Sequence, residues 1–213
     1  MKHFYHGLFG SPSDWNPVIN QDNGVILHDL YSEEETILGQ RTESQDILVG
    51  YSMGGRIALE VAKRNNFNLS QLILLSAHPG LIEDEIGNRK IWEDQVLYKM
   101  LNLNVTEFKK FWNSLELFNS SLMNQNLDEN LLRKSASLFD CFRLSQMIPQ
   151  YSHYSEFKNK ITWIIGNRDL KYKELIEQRI SPLGIEICYL ETDHRVLTAP
   201  MEVREFLRRK GVS

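Results

Sequence analysis

Cysteine and long apolar runs are both scarce in this sequence. Its 213 residues contain only two cysteines, Cys141 and Cys188. A chain of this length can bury a core without a disulfide, so we expect both thiols to be reduced. No run approaches the roughly 18 consecutive apolar residues of a membrane-spanning helix, and the first residues have no apolar segment of the length that a secretory signal needs. We therefore expect a cytoplasmic protein that does not enter the membrane.

An excess of positive charge is also lacking. Lys and Arg total 24 against 28 Asp and Glu, and the formal net charge is -4. Such a chain offers no basic surface for nucleic acid. His, Cys and Asp do not recur at the spacing of metal ligands, so no metal site is predicted. There is no internal repeat and no Pro/Gly/Ser-rich linker, so residues 1–213 are expected to form a single domain.

Six short apolar runs, each bounded by turn residues, predict six β-strands. Several runs are apolar almost throughout instead of alternating with polar residues. That pattern is typical of parallel strands that helices cover on both faces of the sheet. The predicted strands are His3–Tyr5, Val25–Leu27, Ile47–Gly50, Leu72–Ser76, Ile161–Gly166 and Ile185–Leu190.

Helical patterns lie between these strands. Residues 56–64 place their apolar side chains on one face, as a helix packed on a sheet requires. The interval from about 81 to 154 has amphipathic helical patterns and no strand, which predicts a helical cap inserted into an α/β fold with a doubly wound, mostly parallel sheet. The predicted helices of this interval are Lys90–Leu101, Thr106–Phe118 and Asn130–Ile148.

A serine stands in a five-residue turn between the third strand and the helix that follows it. The run is Gly50-Tyr51-Ser52-Met53-Gly54. A strand, a sharp turn and a helix form the context that the nucleophile elbow of the α/β-hydrolase fold requires. The elbow strains the backbone at its serine, and the glycines let strand and helix approach closely. We therefore predict that Ser52 is the reactive serine, although this pattern alone also occurs in ordinary glycine turns.

A second glycine-containing loop follows the first strand. Its sequence is His6-Gly7-Leu8-Phe9-Gly10, and the α/β-hydrolase fold places half of its oxyanion hole in this loop. The predicted donors are the backbone N–H groups of Leu8 and Met53. The alternative is that His6-Gly7 only ends a strand.

An acid and a histidine follow Ser52 in the chain order of the α/β-hydrolase triad. Asp169 comes just after the fifth strand and His194 just after the sixth. His194 would take the proton of Ser52, while Asp169 would hold the imidazole in the required tautomer. Two rival acids are less suitable, because Asp193 adjoins the histidine and Asp140 falls in the cap.

These motifs together resemble those of the MenH family, the 2-succinyl-6-hydroxy-2,4-cyclohexadiene-1-carboxylate synthases of menaquinone biosynthesis. The resemblance covers most of the chain. It depends on runs at five places, namely residues 6–15, the elbow from Gly50 to Arg56, His78-Pro79-Gly80-Leu81, Phe111-Trp112, and Gly166-Asn167-Arg168-Asp169 with Lys171.

The resemblance implies a lyase that needs no cofactor. The family removes a proton from 2-succinyl-5-enolpyruvyl-6-hydroxy-3-cyclohexene-1-carboxylate and expels pyruvate without forming an acyl-enzyme. The triad would then serve as a base, and the oxyanion hole would hold the developing negative charge. The expected partner is a small polycarboxylate, which calls for cationic side chains. The residues expected to bind it are Tyr51, Arg56, Arg89, Trp112 and Arg133.

Some of these residues have simpler interpretations. An arginine on a helix is often only solvated. This interpretation fits Arg133 best and Arg56 least, because Arg56 stands one turn into the elbow helix. Trp112 in an amphipathic helix is often core, and Tyr51 could simply pack.

The sequence also departs from the family pattern. The hairpin that normally opens the fold is not represented, His28-Asp29-Leu30-Tyr31 replaces a Pro-Gly-x-Gly loop, and Asp193 replaces a glycine. Two other functions therefore stay open. One is an esterase or acyl-carrier thioesterase that acts through acyl-Ser52, and the other is a degenerate hydrolase retained as a binding module.

Overall fold

Six parallel strands form a sheet in the computed structural model, which describes residues 1–19, 24–115, 127–147 and 151–212. The strand order is β2-β1-β3-β4-β5-β6, and every neighbouring pair is parallel. All six predicted strands are present, with ends within one residue of those expected. They are β1 (Lys2–Tyr5), β2 (Val25–His28), β3 (Ile47–Tyr51), β4 (Gln71–Leu75), β5 (Ile161–Gly166) and β6 (Glu186–Leu190).

Helices connect most of these strands. The helix after β3 begins at Met53, three residues earlier than the apolar pattern indicates, because the elbow turns directly into its first turn. The helices are α1 (Met53–Arg64), α2 (Glu83–Asn102), α3 (Val105–Asn113), α4 (Glu129–Cys141), α5 (Tyr151–Glu156), α6 (Leu170–Arg179) and α7 (Pro200–Arg209). None of the helices in the described ranges is both long and apolar enough to span a bilayer.

Two predicted cap helices have different ends in the structure. The prediction of one helix over Asn130–Ile148 is wrong, because α4 ends at Cys141 and Phe142 leaves helical geometry at φ -117° and ψ 44°. A short 3-10 helix, Leu144–Gln146, follows. The predicted helix Thr106–Phe118 ends at Asn113, and both Phe118 and Ile148 lie outside the described residues.

The strands are buried on both faces of the sheet. Successive side chains of a strand point to opposite faces, so Leu48 of β3 packs with the apolar face of α1. Its neighbour Val49 packs on the other face with Trp15 and Phe206 of α7. This double burial explains why the strands have continuous apolar sequences.

Helices α2, α3 and α4 lie between β4 and β5 in the chain, and we refer to them as the cap helices. They share an apolar cluster to which α2 contributes Val96, α3 Phe108 and Trp112, and α4 Leu132. Phe9, in the loop after β1, packs in the same cluster. The cap helices therefore pack on the loop in which we predict the oxyanion hole.

Candidate active site

Ser52 occupies a strained position at the carboxyl end of β3. Its φ of 53° and ψ of -112° put a non-glycine residue in a sparsely populated region. Neighbouring backbone crowds the turn, since a Cβ on Gly50 would lie 2.5 Å from the Gly55 Cα, and one on Gly54 would lie 2.3 Å from the His6 carbonyl oxygen. The two glycines are therefore required by close backbone approach, as the elbow predicts.

A hydrogen-bonded chain joins Ser52, His194 and Asp169. Ser52 Oγ lies 3.0 Å from His194 Nε2, and His194 Nδ1 lies 2.7 Å from Asp169 Oδ2. Because a carboxylate can only accept, the imidazole proton resides on Nδ1 and Nε2 is free to accept the serine hydroxyl. The acid and the imidazole are both buried. This is the geometry of a base that draws a proton from a serine.

The rival acids lie elsewhere. Asp193 Oδ1 accepts the Arg195 N–H at 2.8 Å, and Asp140 pairs with Arg143 in the cap. Close approach of two loops brings Asp169 and His194 together, because a Cβ on Gly166 would lie 2.2 Å from the Asp193 carbonyl oxygen. A small residue at the end of β5 is thus needed for the acid and the histidine to meet.

His6 organises the loop after β1. Its Nε2 accepts the Leu30 N–H at 3.1 Å, so its Nδ1 carries the proton and donates to the Gly7 carbonyl at 2.8 Å. Burial lowers the pKa of His6, which keeps the ring neutral. The loop then turns tightly, with Gly10 N–H donating to the Gly7 carbonyl at 3.0 Å and Phe9 at φ 62°.

The predicted oxyanion donors are available for a ligand. Within the described part of the chain, no protein hydrogen bond uses the backbone N–H of Leu8 or of Met53. Met53 begins α1, so its N–H is one of the unpaired donors of a helix N-terminus. A negatively charged oxygen held near Ser52 would also benefit from the helix dipole.

Two arginines lie near each other, Arg56 on α1 and Arg89 on the cap helix α2. Arg56, one turn into α1, is partly buried and donates from Nη1 to the Phe142 carbonyl at 3.2 Å. Desolvation, aided by the nearby charge of Arg89, lowers the pKa of Arg56 to about 10. Arg89 donates from Nε to Glu93 at 2.8 Å. Two neighbouring cations with little exposure make a site that favours an anion.

His78 and Tyr172 also lie beside these groups, and no role was predicted for either side chain from the sequence. Tyr172 stands edge-on to the His194 ring at 4.6 Å and to the His78 ring at 5.5 Å. Burial and the charges of Arg89 and Arg56 hold the pKa of His78 well below its usual value. A neutral His78 therefore adds no positive charge. The signal that could have found Tyr172 is its place three residues after Asp169, on the first turn of α6.

Comparison with known proteins supplies a fold name. No protein family model matches the chain. A relative from Salmonella typhimurium, 2-succinyl-6-hydroxy-2,4-cyclohexadiene-1-carboxylate synthase, is 23% identical over 205 residues, covering 82% of this chain and 80% of the relative. The solved structure of MenH from S. aureus matches with a TM-score of 0.70 at 19% identity over 99% of this chain and 94% of that one. The chain has an α/β-hydrolase fold.

Esterases share this α/β-hydrolase fold. A carboxylesterase structure from Nitrososphaera gargenis matches with a TM-score of 0.61 at 14% identity, over 98% of this chain and 88% of that one. At such identities the likeness shows the fold alone. The reaction has to be argued from the side chains of the site.

Two other residues predicted to bind substrate, Arg133 and Trp112, contact other parts of the protein. Arg133 donates from its guanidinium to the carbonyls of Met100 and Leu103 and pairs with Glu129, which favours a structural role over substrate binding. It therefore joins α4 to the end of α2. Trp112 packs on Phe9 at 5.1 Å in the cap cluster, which favours the core interpretation.

Tyr51 lies close to the elbow and to the loop after β1. Its ring centre is 6.3 Å from that of His194, and a Cβ on Gly7 would lie 2.9 Å from the Tyr51 ring. Burial raises the pKa of Tyr51, so its hydroxyl stays protonated. The close contact with Gly7 favours a packing role between the elbow and the loop after β1.

Proposed function

We propose that the chain is a MenH-like lyase that uses Ser52, His194 and Asp169 as a base to eliminate pyruvate from a polycarboxylate. The observation that carries the proposal is the position of Arg56. Arg56 stands one turn after the serine in α1, and its guanidinium has no carboxylate partner among the residues that the structure describes. A desolvated arginine without a counter-ion is costly unless a ligand supplies the negative charge. Esters with neutral acyl groups do not supply it.

The proposed reaction begins with proton transfer. His194 Nε2 takes the Ser52 hydroxyl proton as Oγ removes a proton from the carbon next to a substrate carbonyl, and Asp169 stabilises the imidazolium that results. The electron pair left on carbon moves toward the carbonyl oxygen, which the N–H groups of Leu8 and Met53 hold. The C–O bond to the enolpyruvyl group then breaks as a ring double bond forms. Pyruvate leaves as its enolate and takes up a proton, and His194 becomes neutral again by giving up the proton that it gained.

The carboxylates of the substrate bind the two arginines in this proposal. Arg56 has its Nη2 and part of Nη1 free, and Arg89 uses only Nε in a protein hydrogen bond among the described residues. A guanidinium can hold a carboxylate through two parallel hydrogen bonds, which fixes orientation as well as charge. The anionic groups of the menaquinone precursor are its succinyl, enolpyruvyl and ring carboxylates.

An esterase or thioesterase remains the second candidate. The same hydrogen-bonded chain can generate an acyl-Ser52 intermediate, and the carboxylesterase neighbour has the same fold. This candidate does not use the unpaired Arg56 charge, whereas the lyase does.

Parallel assays of both reactions test the proposal. The purified protein should release pyruvate from the menaquinone precursor and hydrolyse short nitrophenyl esters weakly, without a burst. Arg56→Ala should lower kcat/KM for elimination by about 100-fold, the loss of one buried charged hydrogen bond pair, and leave ester turnover within twofold. Arg64→Ala is the matched control, since that exposed arginine ends the same helix and pairs with Glu60. A burst of ester hydrolysis without pyruvate release would assign the esterase function instead.

A further inference from the structure

Glu93 is a fully buried carboxylate in the cap that the proposed reaction does not use. It lies on α2 with 0% exposure. Four donors surround it, namely Arg89 Nε at 2.8 Å, Leu144 N at 2.9 Å, Ser145 N at 3.3 Å and Ser145 Oγ at 2.5 Å. A carboxylate with donors on both oxygens suits the ionised form, and burying that charge is expensive without such partners.

Helix stability does not explain the pairing of Arg89 with Glu93. Within a helix, an acid four residues before a base stabilises more than the reverse order, and here the base comes first. The cap contains the favourable order in Glu129 and Arg133 of α4, and that pair is more exposed. The Arg89 and Glu93 pair therefore calls for a reason outside the helix.

The position of Arg89 supplies that reason. Glu93 holds its Nε edge, and its guanidinium lies over the Trp92 ring, with Cζ 4.4 Å from the ring centre. Among the described residues, its terminal N–H groups donate to no protein acceptor. The charge of Arg89 lowers the pKa of both Arg56 and His78, so it acts on the groups beside the triad. Both the edge and the face of Arg89 are thus fixed, and its terminal groups are free.

Glu93 also contacts the segment that holds Arg56. The Phe142 carbonyl accepts the Nη1 hydrogen of Arg56, and the Leu144 N–H, two residues later, donates to Glu93. One carboxylate is therefore bonded directly to one arginine and through a short backbone segment to the other. Moving Glu93 would change the distance between the two guanidinium groups.

We propose that Glu93 is a positioning residue that sets the spacing of Arg89 and Arg56 so that together they bind a ligand with two carboxylates. We call these two arginines the arginine pair. The inference deepens the proposed function, because it rests on a polycarboxylate being the ligand of that site, but it does not require the elimination reaction. A purely structural Glu93 would only attach residues 144 and 145 to α2.

Protection of Ser52 from a fluorophosphonate label measures ligand binding to the arginine pair and does not require the substrate. Glutarate, which has two carboxylates, should slow the labelling of the wild-type protein at lower concentration than butyrate, which has one. Glu93→Gln should weaken glutarate protection by about 10-fold, the scale of one misplaced charged hydrogen bond. It should leave butyrate protection and the labelling rate without ligand within about twofold. If the wild-type protein shows glutarate protection but releases no pyruvate, the lyase function is refuted and the proposal for the arginine pair still stands.

A double-mutant cycle separates positioning from structural attachment. Arg89→Ala removes a carboxylate-binding group, so it should weaken glutarate protection at least as much as Glu93→Gln. Adding Glu93→Gln to Arg89→Ala should weaken protection little further, because no Arg89 is left for Glu93 to position. Ser145→Ala is the matched control, since it removes a donor to Glu93 without contacting Arg89, and it should preserve glutarate protection. Additive losses, or an equal loss in Ser145→Ala, would overturn the positioning role.

A variant that leaves the buried carboxylate unchanged covers the case in which Glu93→Gln does not fold. Arg89→Lys keeps the charge but loses the planar Nε edge that Glu93 holds. It should weaken glutarate protection about as much as Arg89→Ala. Full protection in Arg89→Lys, or absence of glutarate protection in the wild-type protein, would contradict the proposal.

Discussion

His194 donates its Nδ1 hydrogen to Asp169 Oδ2 across 2.7 Å, and Asp169 also accepts the Tyr172 N–H at 3.3 Å. The carboxylate is therefore fixed by the first turn of α6 as well as by the imidazole. Because the acid cannot rotate freely, the imidazole tautomer that accepts from Ser52 is the one that the fold selects.

Replacing Asp169 by Asn should remove that selection. The amide can donate to Nδ1, which would put the imidazole proton on Nε2, where it faces Ser52. We expect kcat for the proposed elimination to fall by about 1,000-fold to 10,000-fold with KM changed less than threefold. Asp193→Asn is the control, because its side-chain oxygen can still accept the Arg195 N–H. A larger loss in Asp193→Asn would mean that the acid has been assigned to the wrong residue.

Two glycines with opposite surroundings test the elbow. A methyl group on Gly54 would meet the carbonyl oxygens of Tyr5 and His6 at 2.3 Å, whereas one on Gly87 of α2 would meet nothing within 4 Å. Gly54→Ala should lower the free energy of unfolding by about 3 kcal/mol or prevent folding. Gly87→Ala should raise it by about 0.5–1 kcal/mol through helix propensity. Urea titration followed by circular dichroism measures both, and equal effects would show that the elbow is not crowded.

His6 should influence the rate through the loop after β1. His6→Phe keeps an aromatic ring, one atom larger, and removes both hydrogen bonds, which leaves the buried Leu30 N–H without its acceptor. We expect a loss of about 1–3 kcal/mol in the free energy of unfolding. The displaced loop should also lower kcat by about 10-fold to 100-fold, because an oxyanion donor moves. A folded variant with unchanged kcat would refute the link between His6 and the oxyanion hole.

Acid should destabilise the protein through its buried histidines. Burial and the charge of His28 lower the pKa of His3 from 6.5 to about 4, and burial also lowers that of His6 and of His78. Since the unfolded chain binds these protons more tightly, stability is complete above pH 6.5 and declines as the pH falls toward the folded pKa. His3 alone should lower the free energy of unfolding by roughly 1–2 kcal/mol between about pH 7.5 and about pH 5. Urea titrations at the two pH values check this, and His3→Gln should reduce the difference. A stability that stays flat or rises would contradict the assignment.

The strands and the elbow were predictable because their signals are local. Each strand is one continuous apolar run, and Gly50 to Gly54 contain the whole turn. The order of Ser52, Asp169 and His194 follows from parallel strands whose carboxyl ends meet at one edge. The sheet and the elbow could therefore be predicted without knowing which distant residues they contact.

The cap and its side chains were less predictable because their partners are distant in sequence. Arg56 meets Phe142, 86 residues away, and Glu93 meets Leu144, 51 residues away. Arg133 and Arg89 are both arginines on amphipathic helices, and only the packing of α4 against the end of α2 distinguishes the roles of the two. The prediction of one helix over Asn130–Ile148 was wrong because the helix ends before Phe142, where the backbone turns so that the Phe142 carbonyl meets Arg56.

Pyruvate release from 2-succinyl-5-enolpyruvyl-6-hydroxy-3-cyclohexene-1-carboxylate tests the central claim most directly. Lactate dehydrogenase and NADH report each pyruvate formed by wild-type protein and by Ser52→Ala. The account predicts one pyruvate per precursor consumed, abolished in Ser52→Ala, with no acyl-enzyme in the mass spectrum of the intact protein. Wild-type protein whose Ser52 reacts with a fluorophosphonate but which releases no pyruvate would contradict the account.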